Sequence, residues 1–307
     1  MGKEVFDAGG LGRQVFSEVQ EALQMDVAAL CFESNAETLR RTDNAQIALF
    51  TVSVAMYRAL AEAMDAAGHG PPRPVAMAGH SVGEYSALAC AGVLSVQDGA
   101  RLVRRRGDLM ARAGALRPGG MAAVLGLDAA VVESACAEVS RKDHEVVTAN
   151  YNCPGQLVIS GDRAAVDEAC GRLKESGAKR CMPLNVSGAF HSPLMGDAAA
   201  AMGEALRRTS FYARPGTTPV ISNVAAEPVS DPDGWPALLE RQLLYPVRWE
   251  QSVRRAIEMG AELFMECGPG EVLSGLLKRI DSGVRSLAVQ DPDSVAEAVS
   301  AVGGVPA

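Results

Sequence analysis

Five consecutive residues, Gly79-His80-Ser81-Val82-Gly83, carry the most legible chemistry in this chain. They fit G-x-S-x-G. The apolar run Val75-Ala-Met-Ala78 precedes them, and the small residues Ser86, Ala87, Ala89 and Ala91 of a tightly packed helix follow. A serine on a sharp strand-to-helix turn presents its hydroxyl at a helix N-terminus, where backbone N–H groups, chiefly that of Val82, can hold an oxyanion. Glycines on both sides suit such a turn because a Cβ there is expected to clash. A tight turn capped by a serine gives the same five letters, and short motifs recur by chance.

A serine becomes a nucleophile only beside a base. Of the four histidines, His69 sits in the Gly/Pro loop 68–74 and His144 in the charged stretch Arg-Lys-Asp-His-Glu. His80 adjoins the serine, and neighbours on a turn point apart. His191 is the best candidate. It follows the strand Met182–Val186, and the next two residues, Ser192-Pro193, read as N-cap and first position of a helix. Arg106 is the third informative residue. It falls three or four positions from Leu102, Val103, Leu109 and Met110, on the apolar stripe of its helix. A buried guanidinium requires an anion. Spacing leaves two partners open: an internal carboxylate, or a substrate carboxylate held bidentately by the planar fork.

These residues need a scaffold to bring them together. Apolar spacing predicts helices over 11–31 and 45–66. Segment 75–78 reads as a short buried parallel strand, and 84–91 and 96–113 as helices. Then come a strand (121–125), a helix (129–141), two strands (145–149, 156–160), a helix (163–176) and a strand (180–186). That β-α-β-β-α-β order is the ferredoxin-like split βαβ pattern. It predicts a small inserted subdomain, 117–185, within a larger one formed by 1–116 and 186–307. The larger part continues with a helix (194–208), a strand (219–222), helices near 235–244 and 250–259, a strand (263–266) and a helix near 271–280. Alternating strands and helices predict a parallel sheet. The expected fold is therefore α/β, with a parallel-sheet, α/β-hydrolase-like core.

Composition narrows the function. Lys+Arg 29 against Asp+Glu 37 gives a net charge of −8, and aromatic residues make up 5%, which argues against nucleic acid as a partner. Hydrophobic residues reach 48%, enough for a sizeable core. Residues 47–57 are too short to span a membrane, 75–94 are broken by polar side chains, and no secretory signal is visible. Seven scattered cysteines without C-x-x-C imply reduced thiols in the cytoplasm and no zinc site.

Taken together, these motifs resemble the malonyl-CoA:acyl carrier protein transacylase family, whose relatives include polyketide synthase acyltransferase domains. The match runs through Gly79-His-Ser-Val-Gly-Glu-Tyr-Ser-Ala-Leu88, Arg104-Arg-Arg-Gly107, Asn150-Tyr-Asn-Cys-Pro-Gly-Gln-Leu-Val-Ile-Ser-Gly161, Gly188-Ala-Phe-His-Ser-Pro-Leu-Met195, Ser222-Asn-Val224, Arg241-Gln-Leu243, Pro246-Val-Arg-Trp249 and Glu266-Cys-Gly-Pro-Gly270. It covers about residues 2 to 280. The resemblance implies that Ser81 is acylated, that His191 is its base, and that Gln242 orients His191 through its main chain. It implies that Arg106 clamps the free carboxylate of malonate, with Gln46 and Asn152 lining the pocket. The implied reaction is ping-pong, from coenzyme A to Ser81 and then to the phosphopantetheine thiol of an acyl carrier protein, by a monomer without cofactor or metal. In polyketide relatives an apolar residue after the serine and Ala-Phe-His go with malonyl. Val82 and Phe190 therefore imply preference over methylmalonyl, a difference of about 1–3 kcal/mol.

The family opens with a strand ending in Phe-Pro-Gly-Gln-Gly-x-Gln and then Gly-Met-Gly, and Met1-Gly2 resembles the tail of that segment. The segment supplies a core strand and an oxyanion donor. Without that donor the rate is expected to fall by roughly 10²–10³. Two rival readings remain: an acyl-thioester hydrolase, in which acid and histidine lie near the chain end, and a non-catalytic carrier-binding module. Arg254-Arg255, Lys278-Arg279 and Lys179-Arg180 are the candidate basic contacts for an acidic carrier.

Overall fold

The computed structural model describes residues 1–303. Seven helices come first: α1 (Lys3–Ala8), α2 (Gly10–Leu23), α3 (Val27–Phe32), α4 (Ala36–Arg40), α5 (Thr42–Ala66), α6 (Gly83–Cys90) and α7 (Val96–Leu116). The helix expected over 11–31 is two. Gln24 ends α2 in the left-handed region at φ 51°, and the Asp26 side chain accepts from Ala29 N–H to start α3. A capping carboxylate competes with helix continuation, and here the cap wins. Helix α5 is apolar on nearly every side and packs inside the core, burying Ile47, Phe50, Val54 and Leu60. Its 25 residues are long and apolar enough to cross a membrane (mean hydropathy 1.4 over 18 residues), yet 56% of that window is buried within the protein. Helix α7 starts at Ser95, whose side chain accepts from Asp98 N–H.

The middle of the chain is β1 (Gly119–Leu125), α8 (Ala129–Val139), β2 (Val146–Cys153), β3 (Gln156–Asp162), α9 (Arg163–Glu175) and β4 (Arg180–Pro183). These four strands form one sheet in the order β2-β3-β1-β4, with every pair antiparallel. Val132, Cys136 and Val139 of α8 and Val166 and Leu173 of α9 pack with Ala122, Val124 and Ile159 of the sheet. This is the split βαβ arrangement.

The rest comprises α10 (Gly196–Leu206), β5 (Val220–Ile221), β6 (Pro228–Val229), α11 (Trp235–Gln242), α12 (Trp249–Glu258), β7 (Leu263–Cys267), α13 (Val272–Ile280), β8 (Arg285–Val289) and α14 (Pro292–Gly303). Strands β7 and β8 are parallel, and β5 and β6 are antiparallel. Segment 75–78 differs from expectation. Among the described residues only Met77 pairs, in a parallel bridge to Val220, and Val75 is 44% exposed. Met77 N–H donates to Pro219 O and Met77 O accepts from Ile221 N–H, so the segment is paired along one edge only. A strand that shares a single edge gains neither the ladder nor the burial of a central parallel strand. The small sheet is tied to the larger part at β2: Tyr151 N–H donates to Val247 O and Val247 N–H to Ala149 O. The next residue, Arg248, donates its N–H to Asn223 O.

Candidate active site

Ser81 stands on the turn between Met77 and α6 in a left-handed conformation, φ 53°. Residues other than glycine seldom adopt it, and such strain persists only where neighbours enforce it. Asn223, just past β5, does so here. Its Oδ1 accepts from Ser81 N–H at 2.7 Å, and its Nδ2 donates to Gly79 O at 2.7 Å. Of the two flanking glycines only one is sterically required. A Cβ on Gly79 meets the backbone C and O of Gly83 at 2.0 Å, whereas a Cβ on Gly83 meets nothing within 4 Å. Among the described residues, Val82 N–H donates to no protein acceptor.

His191 is also left-handed, φ 55°. Ser192 fixes the chain behind it by donating to Ala189 O at 2.7 Å and accepting from Leu194 N–H at 3.3 Å. His191 Nδ1 lies 2.7 Å from Gln242 O, and Nε2 lies 2.8 Å from Ser81 Oγ. A carbonyl oxygen only accepts, so Nδ1 carries the proton and Nε2 is the free base facing the serine. Burial first, and then the nearby Arg106 cation, lower the His191 pKa to about 3, against the bond to Gln242 O. The imidazole is therefore neutral at ordinary pH.

Arg106 is 1% exposed. Its Nη1 donates to Gln46 Oε1 at 2.6 Å, and Nη2 donates to Ser81 Oγ and Gln242 Oε1, both at 2.9 Å. Its Nε–H is buried without a partner, and among the described residues no carboxylate lies within 4 Å of the guanidinium. Of the two partners left open by the spacing, no internal carboxylate touches the guanidinium among the described residues; Glu84 acts on it only at longer range. Gln46 is held from its other end by donating Nε2–H to Met110 Sδ at 3.4 Å. Asn152, at the end of β2, accepts from His80 Nε2 at 3.0 Å, and the His80 ring tilts against Trp249. Val82 and Phe190, which adjoin the pair, are half-buried against the main core. Gln242, at the end of α11, touches Ser81, His191 and Arg106 together, because its Nε2 also donates to Ser81 O at 2.9 Å.

Two buried residues in this network escaped the sequence reading. Asn223 sits in a quoted motif, but its hold on the turn spans 142 positions. Glu84 sits on the apolar side of α6, and a carboxylate among Tyr85, Ala87 and Leu88 is the signal that marks it.

The chain is similar to known proteins over nearly its whole length. The model of the acyl transferase domain family matches residues 1–300. A malonyl CoA-acyl carrier protein transacylase of Bacillus subtilis is 41% identical over 299 residues, covering 97% of this chain and 92% of that protein. The structure of a malonyl CoA-acyl carrier protein transacylase from Coxiella burnetii superposes with a TM-score of 0.91 at 36% identity, over 98% of this chain and 92% of the other. A malonyl-transacylase solved in complex with its type II polyketide synthase acyl-carrier protein superposes at 0.90 with 37% identity, over 98% and 94%. With the family model and these relatives matched over nearly its whole length, this chain belongs to the acyl transferase domain family.

Proposed function

We propose that the chain transfers malonyl from malonyl-CoA to the phosphopantetheine thiol of an acyl carrier protein, in fatty acid or polyketide synthesis, through an ester on Ser81. One observation carries the reading. A buried guanidinium with no carboxylate in direct contact among the described residues donates to the same hydroxyl oxygen that meets the histidine base. A thioester acyl group ending in a carboxylate satisfies both features at once. Its anion takes the guanidinium fork and its carbonyl carbon comes to Oγ.

In the first half-reaction Ser81 Oγ attacks the thioester carbon and its proton passes to His191 Nε2. The C–S bond then breaks, and the leaving thiolate takes that proton. Val82 N–H faces the developing oxyanion. In the second half-reaction the carrier's thiol gives its proton to Nε2 and attacks the ester, and Ser81 recovers the proton as it leaves. Gln242 O orients the imidazole where a carboxylate does so in many hydrolases. Gln46 steadies Arg106, Asn152 steadies the turn through His80, and Phe190 with Val82 restricts the space beside the acyl α-carbon. The chemistry needs a nucleophile, a base and a clamp, and no cofactor.

The larger part, 1–116 and 186–307, is read as an α/β-hydrolase-like subdomain around this turn, and 117–185 as the ferredoxin-like one. All seven cysteines are free, which supports a reducing cytoplasmic setting, and the working unit is read as a monomer. Docking of an acidic carrier is assigned to Lys179 and Arg180. With Arg279 they line a cleft of about 350 Å³ beside Gly126 and Gly155. Arg254 and Arg255 are already paired with Glu250, Glu227 and Glu258.

The test is an intact-protein mass spectrum after brief incubation with malonyl-CoA, beside Ser81→Ala. One malonyl adduct on the parent and none on the variant is expected. Free malonate accumulating without an adduct indicates a hydrolase, and unchanged malonyl-CoA a binding module.

A further inference from the structure

Gln242 meets the nucleophile, the base and the clamp, so whatever fixes its side-chain amide fixes all three. The orientation matters because a guanidinium only donates and must meet Oε1, leaving Nε2 to find acceptors. Nε2 donates to Ser81 O and also to Glu84 Oε2. The other carboxylate oxygen of Glu84 accepts from Asn223 N–H at 2.8 Å, and the Asn223 side chain clamps Gly79 and Ser81. Glu84 is 1% exposed and, among the described residues, makes no direct ion pair. Its countercharge is Arg106, reached through the Gln242 amide: carboxylate, amide N–H, amide C=O, guanidinium.

We propose that Glu84 is a positioning residue for acyl transfer, whose ionised carboxylate locks the Gln242 amide and the Asn223 clamp in the arrangement that the Ser81–His191–Arg106 site requires. Both carboxylate oxygens receive N–H donors. A protonated carboxyl must turn its O–H toward one of them and lose that bond. Buried carboxylates are costly, so the device works only above the pH at which Glu84 ionises. Burial raises that pKa to about 7, opposed by Asn223 N–H, Gln242 Nε2–H, the Arg106 cation of α7 and the Ser222 hydroxyl. Two other titratable rings belong to the same site: His191 is lowered to about 3, and His80 is also lowered by burial. Tyr85, the neighbour on α6, is held protonated by burial. His191 therefore keeps its neutral form near neutrality and Tyr85 its proton. Loss of activity on acidification therefore belongs to Glu84 rather than to the histidine base.

The inference rests on malonyl transfer through Ser81. It is tested by kcat and KM from about pH 5.5 to about pH 9 for the parent, Glu84→Gln and Glu84→Asp. The parent is expected to lose about tenfold in kcat/KM per pH unit below about pH 7. At higher pH Glu84→Gln should fall about 10²-fold, mainly in kcat, as expected for misplaced reacting groups, and it should lack the acid limb. Glu84→Asp should recover part of the rate and keep a limb. An unaltered limb in Glu84→Gln, or parent-like activity, overturns the proposal. Infrared difference titration of the parent needs neither turnover nor a folded variant. A carboxylic acid C=O band must disappear as the pH rises through the same range, and its absence also overturns the proposal. A parent that never forms the adduct but shows this band refutes the transfer reading while leaving the Glu84 ionisation standing.

Discussion

Arg106 is the residue whose surroundings are least complete. Three neutral oxygens accept from it, yet its Nε–H has no partner and burial lowers its pKa. Its internal countercharge, Glu84, reaches it only through the Gln242 amide, and a buried cation without an anion in direct contact is costly. A substrate carboxylate supplies that contact and takes the guanidinium's attention away from the Ser81 hydroxyl. Arg106→Ala should therefore lose malonyl transfer by about 10²-fold or more, on the scale of a removed buried charge partner at about 3–5 kcal/mol. Transfer of acetyl, which has no carboxylate, should fall far less. The ratio of kcat/KM for the two acyl-CoA substrates measures this, and an unchanged ratio removes Arg106 from the clamp role.

At the scale of elements, the close approach of the Met77 segment to the start of α6 determines where Ser81 points. At Gly79 an added Cβ meets backbone at 2.0 Å, with Glu84 N at 2.6 Å, so no side-chain rotation relieves it. Gly79→Ala should open the turn, break the Asn223 bond to Ser81 and abolish the malonyl adduct, with a clear drop in melting temperature. Gly83→Ala should keep the adduct within a few-fold and change stability by no more than about 1 kcal/mol, in the stabilising direction, since alanine suits a helix better. Equal damage from both changes is inconsistent with this account. The same scale explains the split of 11–31: the α2 stripe Val15, Phe16, Val19 ends at Gln24, and Asp26 starts a new helix.

For the molecule as a whole, charge sets how a carrier approaches. A net charge of −8 repels an acidic partner except where basic side chains gather. Lys179 and Arg180 come from the small sheet and Arg279 from α13. Arg279 is committed to Pro154 O and Gln156, which leaves the first two for docking. The double change Lys179→Glu with Arg180→Glu should raise the KM for carrier protein about tenfold at low salt, with the gap narrowing as salt screens it. Malonyl adduct formation from malonyl-CoA should not change. A carrier KM equal to the parent's places the docking surface elsewhere. The cleft lies past Asn152 on β2, and the bond chain from β2 through Val247 and Arg248 to Asn223 joins that region to the Ser81 turn.

The sequence by itself determined what local rules govern. The period of apolar residues marked α5 and α7, the β-α-β-β-α-β order marked the small sheet, and the glycines around Ser81 marked a tight turn. It also placed Arg106 on a buried stripe, because 3.6-residue periodicity is a local property. It did not find β8 or α14: β8 is only five residues and opens with Arg285 and Ser286, too short and mixed to carry a periodic signal. Only the tertiary structure decided who bonds whom. Ser81 meets His191 across 110 positions, Asn223 across 142, and Gln242 across 161. Whether Arg106 has an internal carboxylate, which edge of 75–78 is paired, and what holds the Gln242 amide are all set by such long-range contacts. No spacing rule reaches them, because hydrogen-bond geometry depends on where the whole chain packs.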